Sequence, residues 1–223
     1  MEKGYKNLGY FLLILLCFVF LGFFKTYFGL FPQFNTATTP VVHFHFFMLF
    51  LWICTLITQP LLIRFEKFKT HRLIGKFTYV LVPLIIVSII LMWQKGITDP
   101  ETTNSPLNYL KYIFHDHFHS FCDMSLLIIF YSLAIFNKRR TELHMRYMIA
   151  AALIFIDPSL SRLLNSLLNF SSSNSDLVTL LFTDLILLGL IYYDIKYNRF
   201  YKPYVFALSL FLIYHISYFI FYY

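Results

Sequence analysis

The chain has 223 residues, of which 59% are hydrophobic and only 13% charged, with a mean hydropathy of +0.67 and a net charge of +7. A soluble domain carries roughly a quarter charged residues, so this composition excludes one. It is also too apolar for disorder and, with 7 glycines, too poor in glycine for a fibre. An all-α polytopic membrane protein remains.

About 20 apolar residues cross a bilayer as a helix, and seven windows approach that length: residues 10–31, 41–63, 77–93, 112–136, 147–168, 177–193 and 204–222. The first follows Lys3 and Lys6 and ends in Phe23-Phe24-Lys25 without a small-residue cleavage site, so it reads as an uncleaved helix. The second opens after Pro40 and carries His43 and His45 near its start. The third follows Thr70-His71-Arg72-Leu73-Ile74-Gly75-Lys76. Asp99-Pro100 and Asn104-Ser105-Pro106 punctuate the next loop. The fourth then brings His115, Asp116, His117, His119 and Asp123. The fifth follows the basic stretch Lys138-Arg139-Arg140 and His144-Met145-Arg146, and holds Asp157 and Arg162. After the run Ser171-Ser172-Ser173-Asn174-Ser175, the sixth holds Asp184 and the seventh His215. Cys17, Cys54 and Cys122 lie in apolar stretches without metal-type spacing and read as packing residues.

Loop charges orient the bundle. With the N-terminus inside, the inner segments hold Lys3, Lys6, Arg64, Lys67, Lys69, Arg72, Lys76, Lys138, Arg139, Arg140, Arg146, Lys196, Arg199 and Lys202. Only Lys25, Lys95, Lys111 and Arg162 fall outside. This asymmetry predicts seven helices in the cell membrane, N-terminus in and C-terminus out. The basic balance then meets anionic headgroups rather than nucleic acid.

Ionisable residues within spans are costly and usually face a bundle interior. On the fourth helix His115, His119, Asp123 and Asp116 share one face at about 100° per residue, whereas His117 points elsewhere. An imidazole–carboxylate stripe suits a transition metal, with His43 or His45 and His215 completing the ligands, or an axial haem ligand. His119 and Asp123 are the central pair of that expectation. Asp157 and Arg162 sit about 140° apart and are expected to reach other helices: Asp157 toward His215 or Lys25, Arg162 toward Asp184 or Asp123. These three, Arg162, Asp157 and Asp184, also have a purely structural reading. At the inner face, His71 and His144 open two successive basic segments and form either a structural clasp or a cofactor site such as haem b.

Two segments carry a resemblance. One runs His43, Trp52, Gln59-Pro60-Leu61-Leu62-Ile63 and His71-Arg72-Leu73-Ile74-Gly75. The other runs Asp123, Ala134, Arg139-Arg140, His144-Met145-Arg146-Tyr147-Met148, Asp157-Pro158 and Arg162. Over roughly residues 41–165 the chain resembles bacterial multi-pass membrane proteins with an HRxxG motif opening one helix and an HxRxM motif opening a later one. That group has no assigned activity to transfer. A looser similarity links the histidines on facing helices to b-type transmembrane cytochromes. Three functions follow as expectations: a redox protein holding haem or a metal, a metal-dependent lipid hydrolase with Asp123 or Asp157 as base, and a transport, sensor or assembly protein without catalysis.

Overall fold

Long runs of Leu, Ile, Phe and Val fold into helices because only a helix satisfies every backbone polar group within one apolar segment. A computed structural model describes residues 5–97, 105–197 and 201–222. Lys3, Asp99, Pro100, Asn104 and Arg199 lie outside them. The helices are α1 Leu8–Gly22, α2 Pro40–Arg64, α3 Phe68–Gly96, α4 Pro106–Asp116, α5 Phe118–Phe136, α6 Thr141–Leu153, α7 Ile156–Leu168, α8 Ser172–Lys196 and α9 Lys202–Tyr222. No strand occurs among the described residues. Pro40 and Pro106 start helices where the missing N–H costs nothing. The Ser105 and Ser171 hydroxyls accept from the backbone N–H groups of Leu107 and Asn174. Asn169, at φ 55°, turns the chain out of α7.

Six helical segments are long and apolar enough to cross a membrane: α2, α3, α5, α6 with α7, α8 and α9. These fit an integral membrane protein. The first window differs from expectation, because α1 ends at Gly22 after 15 residues. Beyond it the chain continues in turns and a 3-10 turn at Phe28–Leu30, a stretch of aromatic and small residues with low helix propensity. That stretch still follows α7: Arg162 lies 4.5 Å from the Phe23 ring, and Lys25 donates to the Ser166 carbonyl. The fourth window is two helices. It breaks at His117, so α4 is a short amphipathic helix with Leu107, Leu110 and Phe114 exposed.

The fifth window is also two helices. Pro158 has no N–H for the carbonyl four residues back, and the helix breaks at Ile154–Phe155, between α6 and α7. The two halves have different neighbours. α6 packs on α2, α5, α7 and α9, whereas α7 packs on α1 and α8. The pairings α1–α2, α2–α3, α3–α5, α5–α9, α9–α8, α8–α7 and α7–α1 close a ring, and α6 runs inside it. The small residues Ala150, Ala151 and Ala152 permit this central placement and are 0–2% exposed.

One end of the bundle collects Tyr5, Arg64, Lys138, Arg146, Asp194 and Tyr204. There Arg146 is wholly buried and pairs with Asp194 through both nitrogens, at 2.7 Å from Nε and 2.6 Å from Nη2. The rings of Tyr201, Tyr5 and Tyr204 surround its guanidinium at 4.0, 5.4 and 5.7 Å. This corrects the headgroup-facing placement of Arg146: the charge is an internal pin between α6 and α8. The other basic residues make this the basic end.

Candidate functional site

Four helices converge toward the opposite end. His119 stands in the first turn of α5, Asp157 in the first turn of α7, Asp176 on α8, and Tyr214 and Tyr218 on α9. Asp157 occupies the positive end of the α7 dipole, which favours a carboxylate. Its Oδ1 accepts from Thr179 at 2.7 Å and its Oδ2 from Tyr214 at 3.3 Å. The Tyr214 hydroxyl also meets His119 Nδ1 in a short hydrogen bond, and that nitrogen lies 3.5 Å from Asp157 Oδ2. The other ring nitrogen lies 3.8 Å from Asp176 Oδ2. Asp176 accepts from Tyr218 at 2.8 Å and from Ser161 at 2.9 Å. Asp157, Tyr214 and His119 thus form a hydrogen-bonded chain, whereas the second His119 nitrogen is buried without a hydrogen-bond partner and faces Asp176 across a gap longer than a hydrogen bond. Asp123 lies one turn further along α5, and its Oδ1 is buried without a hydrogen-bond partner.

The other residues expected to join His119 pair elsewhere. His43 Nδ1 meets the Tyr27 hydroxyl at 2.8 Å in the loop after α1. His45 Nδ1 meets Ser88 of α3 at 3.0 Å. His115 pairs with Asp116 on the exposed end of α4, at 2.9 Å. His215 pairs with Asp184 of α8, also at 2.9 Å. The division on α9 is angular: Tyr214 and His215 are about 100° apart, so Tyr214 faces Asp157 while His215 faces Asp184. Asp157 therefore contacts neither His215 nor Lys25 in this set of bonds. Arg162 donates to the Pro158 carbonyl at 2.8 Å and lies over Phe23, rather than bonding Asp184 or Asp123. Among the described residues, no three His, Cys, Asp or Glu side chains stand where they could hold a metal ion. His117 caps the α4–α5 corner, 2.7 Å from the Tyr112 hydroxyl, and burial holds its pKa below the ordinary 6.5.

His71 and His144 are brought together. Both line a cavity of about 480 Å³ at the basic end, bounded by α1, α2, α3, α5 and α6. Leu, Ile and Met side chains supply its apolar surface, and Arg72, Lys76, Lys138 and Glu142 border it. His144 Nδ1 donates to the Ala134 carbonyl at 2.8 Å. His71 Nδ1 and Gln59 Oε1 are buried without hydrogen-bond partners. Deeper in, Tyr131 and Thr78 join at 2.8 Å, and Thr78 donates onward to the Gly75 carbonyl.

Comparison with protein families, curated proteins and solved structures returns no match. The sites therefore stand on their own geometry. Sequence reasoning missed Asp176 and Thr179, although Asp176, Thr179 and Thr183 form a polar i, i+3, i+7 stripe on an otherwise apolar helix. Tyr214 and Tyr218 carried no such signal, because tyrosine is common in membrane spans.

Proposed function

We propose that this chain is a multi-pass protein of the cell membrane, its basic end in the cytoplasm, whose opposite half binds and relays protons in a transport or sensing role. The observation that supports this is Asp157: a carboxylate at the break of a discontinuous helix, bonded by Thr179 and Tyr214 and faced by His119. Carboxylates within a bundle are costly and mark ion or proton pathways. Broken helices are where membrane proteins build such sites, because the half-helix terminus offers unpaired backbone groups and a dipole. Tyr214 and His119 each accept and donate, so a proton can pass between Asp157 and His119 along existing hydrogen bonds, with Asp176 beyond as a second carboxylate 3.8 Å from the ring. The lipid-hydrolase reading has less support, since it calls for a metal near Asp123 or Asp157. The resemblance to the HRxxG/HxRxM membrane proteins fits this reading and adds no chemistry to it.

The test is infrared difference spectroscopy on protein reconstituted in vesicles. Acidification is expected to raise a carboxylic-acid C=O band that is absent in Asp157→Asn, whose amide preserves the side-chain shape. A carboxyl region that does not change with pH, or one identical in the variant, overturns the proposal.

A further inference from the structure

The basic-end cavity has a chemistry independent of the proton relay. Two imidazoles, from α3 and α6, stand on its wall. The Ala134 carbonyl can only accept, so His144 Nδ1 carries a hydrogen and the neutral ring presents its lone pair at Nε2. A backbone carbonyl that fixes the tautomer in this way is the usual support of a metal-ligating histidine. His71 adds a second imidazole, with Nδ1 buried and unpartnered. Two acceptors stand beside them: Gln59 Oε1 is unpartnered, and the Thr55 hydroxyl spends its proton on the Leu51 carbonyl. These lone pairs suit a Lewis acid.

A bare ion needs about three or four protein ligands, and no such trio occurs among the described residues. Iron in a porphyrin needs only one or two, because the macrocycle supplies the rest. The remaining features fit that ligand. The apolar walls match a porphyrin body, and a cavity of about 480 Å³ lies within the ordinary range for cofactor sites. Arg72, Lys76 and Lys138 outnumber the lining carboxylate Glu142, and leave the border with a net positive charge suited to carboxylates. Gly75, also on the wall, has no atom within 4 Å of the place a Cβ would take. The missing side chain is therefore not required by protein packing and leaves room beside His71.

We propose that the cavity between α3 and α6 binds haem through His71 and His144, with the propionates toward Arg72, Lys76 and Lys138. The test uses haemin added to the purified full chain in detergent, read by the Soret band and by retention through gel filtration. One haemin per chain is expected, with the low-spin spectrum of two imidazole ligands. His144→Asn keeps a donor toward the Ala134 carbonyl but removes the ligating nitrogen. This variant and His71→Ala are each expected to lose that low-spin spectrum and to weaken binding by about tenfold or more, which is about 1.4 kcal/mol. Gly75→Leu fills open space, so it is expected to block haemin while the chain elutes and melts as wild type. The dimethyl ester of haemin, which lacks the propionate charges, is expected to bind more weakly than haemin. No stoichiometric Soret shift in the wild type overturns the proposal. An unchanged spectrum and affinity in both His144→Asn and Gly75→Leu overturns it equally, since the haemin would then lie elsewhere. Failure here leaves the Asp157 relay untouched, because its infrared readout involves neither histidine.

Discussion

Asp194 illustrates how much one side chain can carry inside a bundle. It accepts two hydrogen bonds from Arg146, and Tyr5 adds a third at 3.4 Å. The Arg146 side chain is 0% exposed and that of Asp194 is 4% exposed. Removing one partner of a buried pair leaves the other charge uncompensated, at a cost of about 3–5 kcal/mol. Asp194→Asn is therefore expected to lower the melting temperature of the detergent-solubilised protein strongly. Replacing Lys138, which is exposed and only reaches the Tyr79 hydroxyl at 3.3 Å, should have little effect. Equal melting of Asp194→Asn and wild type would mean that the pair contributes nothing to the fold. Arg146 also shows the limit of charge counting. It stands at the basic end with the loop cations, yet its side chain turns inward, because Asp194 lies some 48 residues away in sequence and only folding brings it near.

At the scale of elements, the contact of α1 with α7 depends on one missing side chain. A Cβ at Gly22 would sit 2.2 Å from the Ser159 carbonyl oxygen, which belongs to a helical backbone and cannot turn aside. Gly22→Ala must push the two helices apart, a strain of about 1–3 kcal/mol. Gly189 on α8 is the control, with nothing within 4 Å of its Cβ position. Alanine there should be neutral, or stabilising by about 0.5–1 kcal/mol through helix propensity. Thermal melts of the two variants test this contrast, and equal stability would sink it. The same contact sets Ser159, and with it the first turn of α7, beside the end of α1. The position of Asp157 thus depends on α1 as well as on Pro158.

For the whole molecule, the ring of helices around α6 puts the ends of α2, α5 and α8 together with the starts of α3, α6 and α9. A reporter fused after the final residue, Tyr223, is expected to be accessible from outside the cell and a reporter before Met1 from the cytoplasm. A cytoplasmic C-terminal signal would refute this orientation.

Hydrophobic runs and loop charge were enough to determine the all-helical class and the grouping of basic residues. These are local properties: about 20 apolar residues need a helix wherever their neighbours lie. They also marked the positions of His71, His144, His119 and Asp157. Partners were a different matter. Periodicity on one helix gives directions relative to its own axis only, so nothing local distinguished His215 facing Asp184 from His215 facing His119. Nor could it reveal that Tyr214 links His119 to Asp157. Those pairings, the cavity shared by His71 and His144, and the burial of Arg146 were decided by tertiary structure alone. Each depends on how nine helices rotate and lean to bury their side chains among the described residues, and that choice is made by packing between segments far apart in the chain.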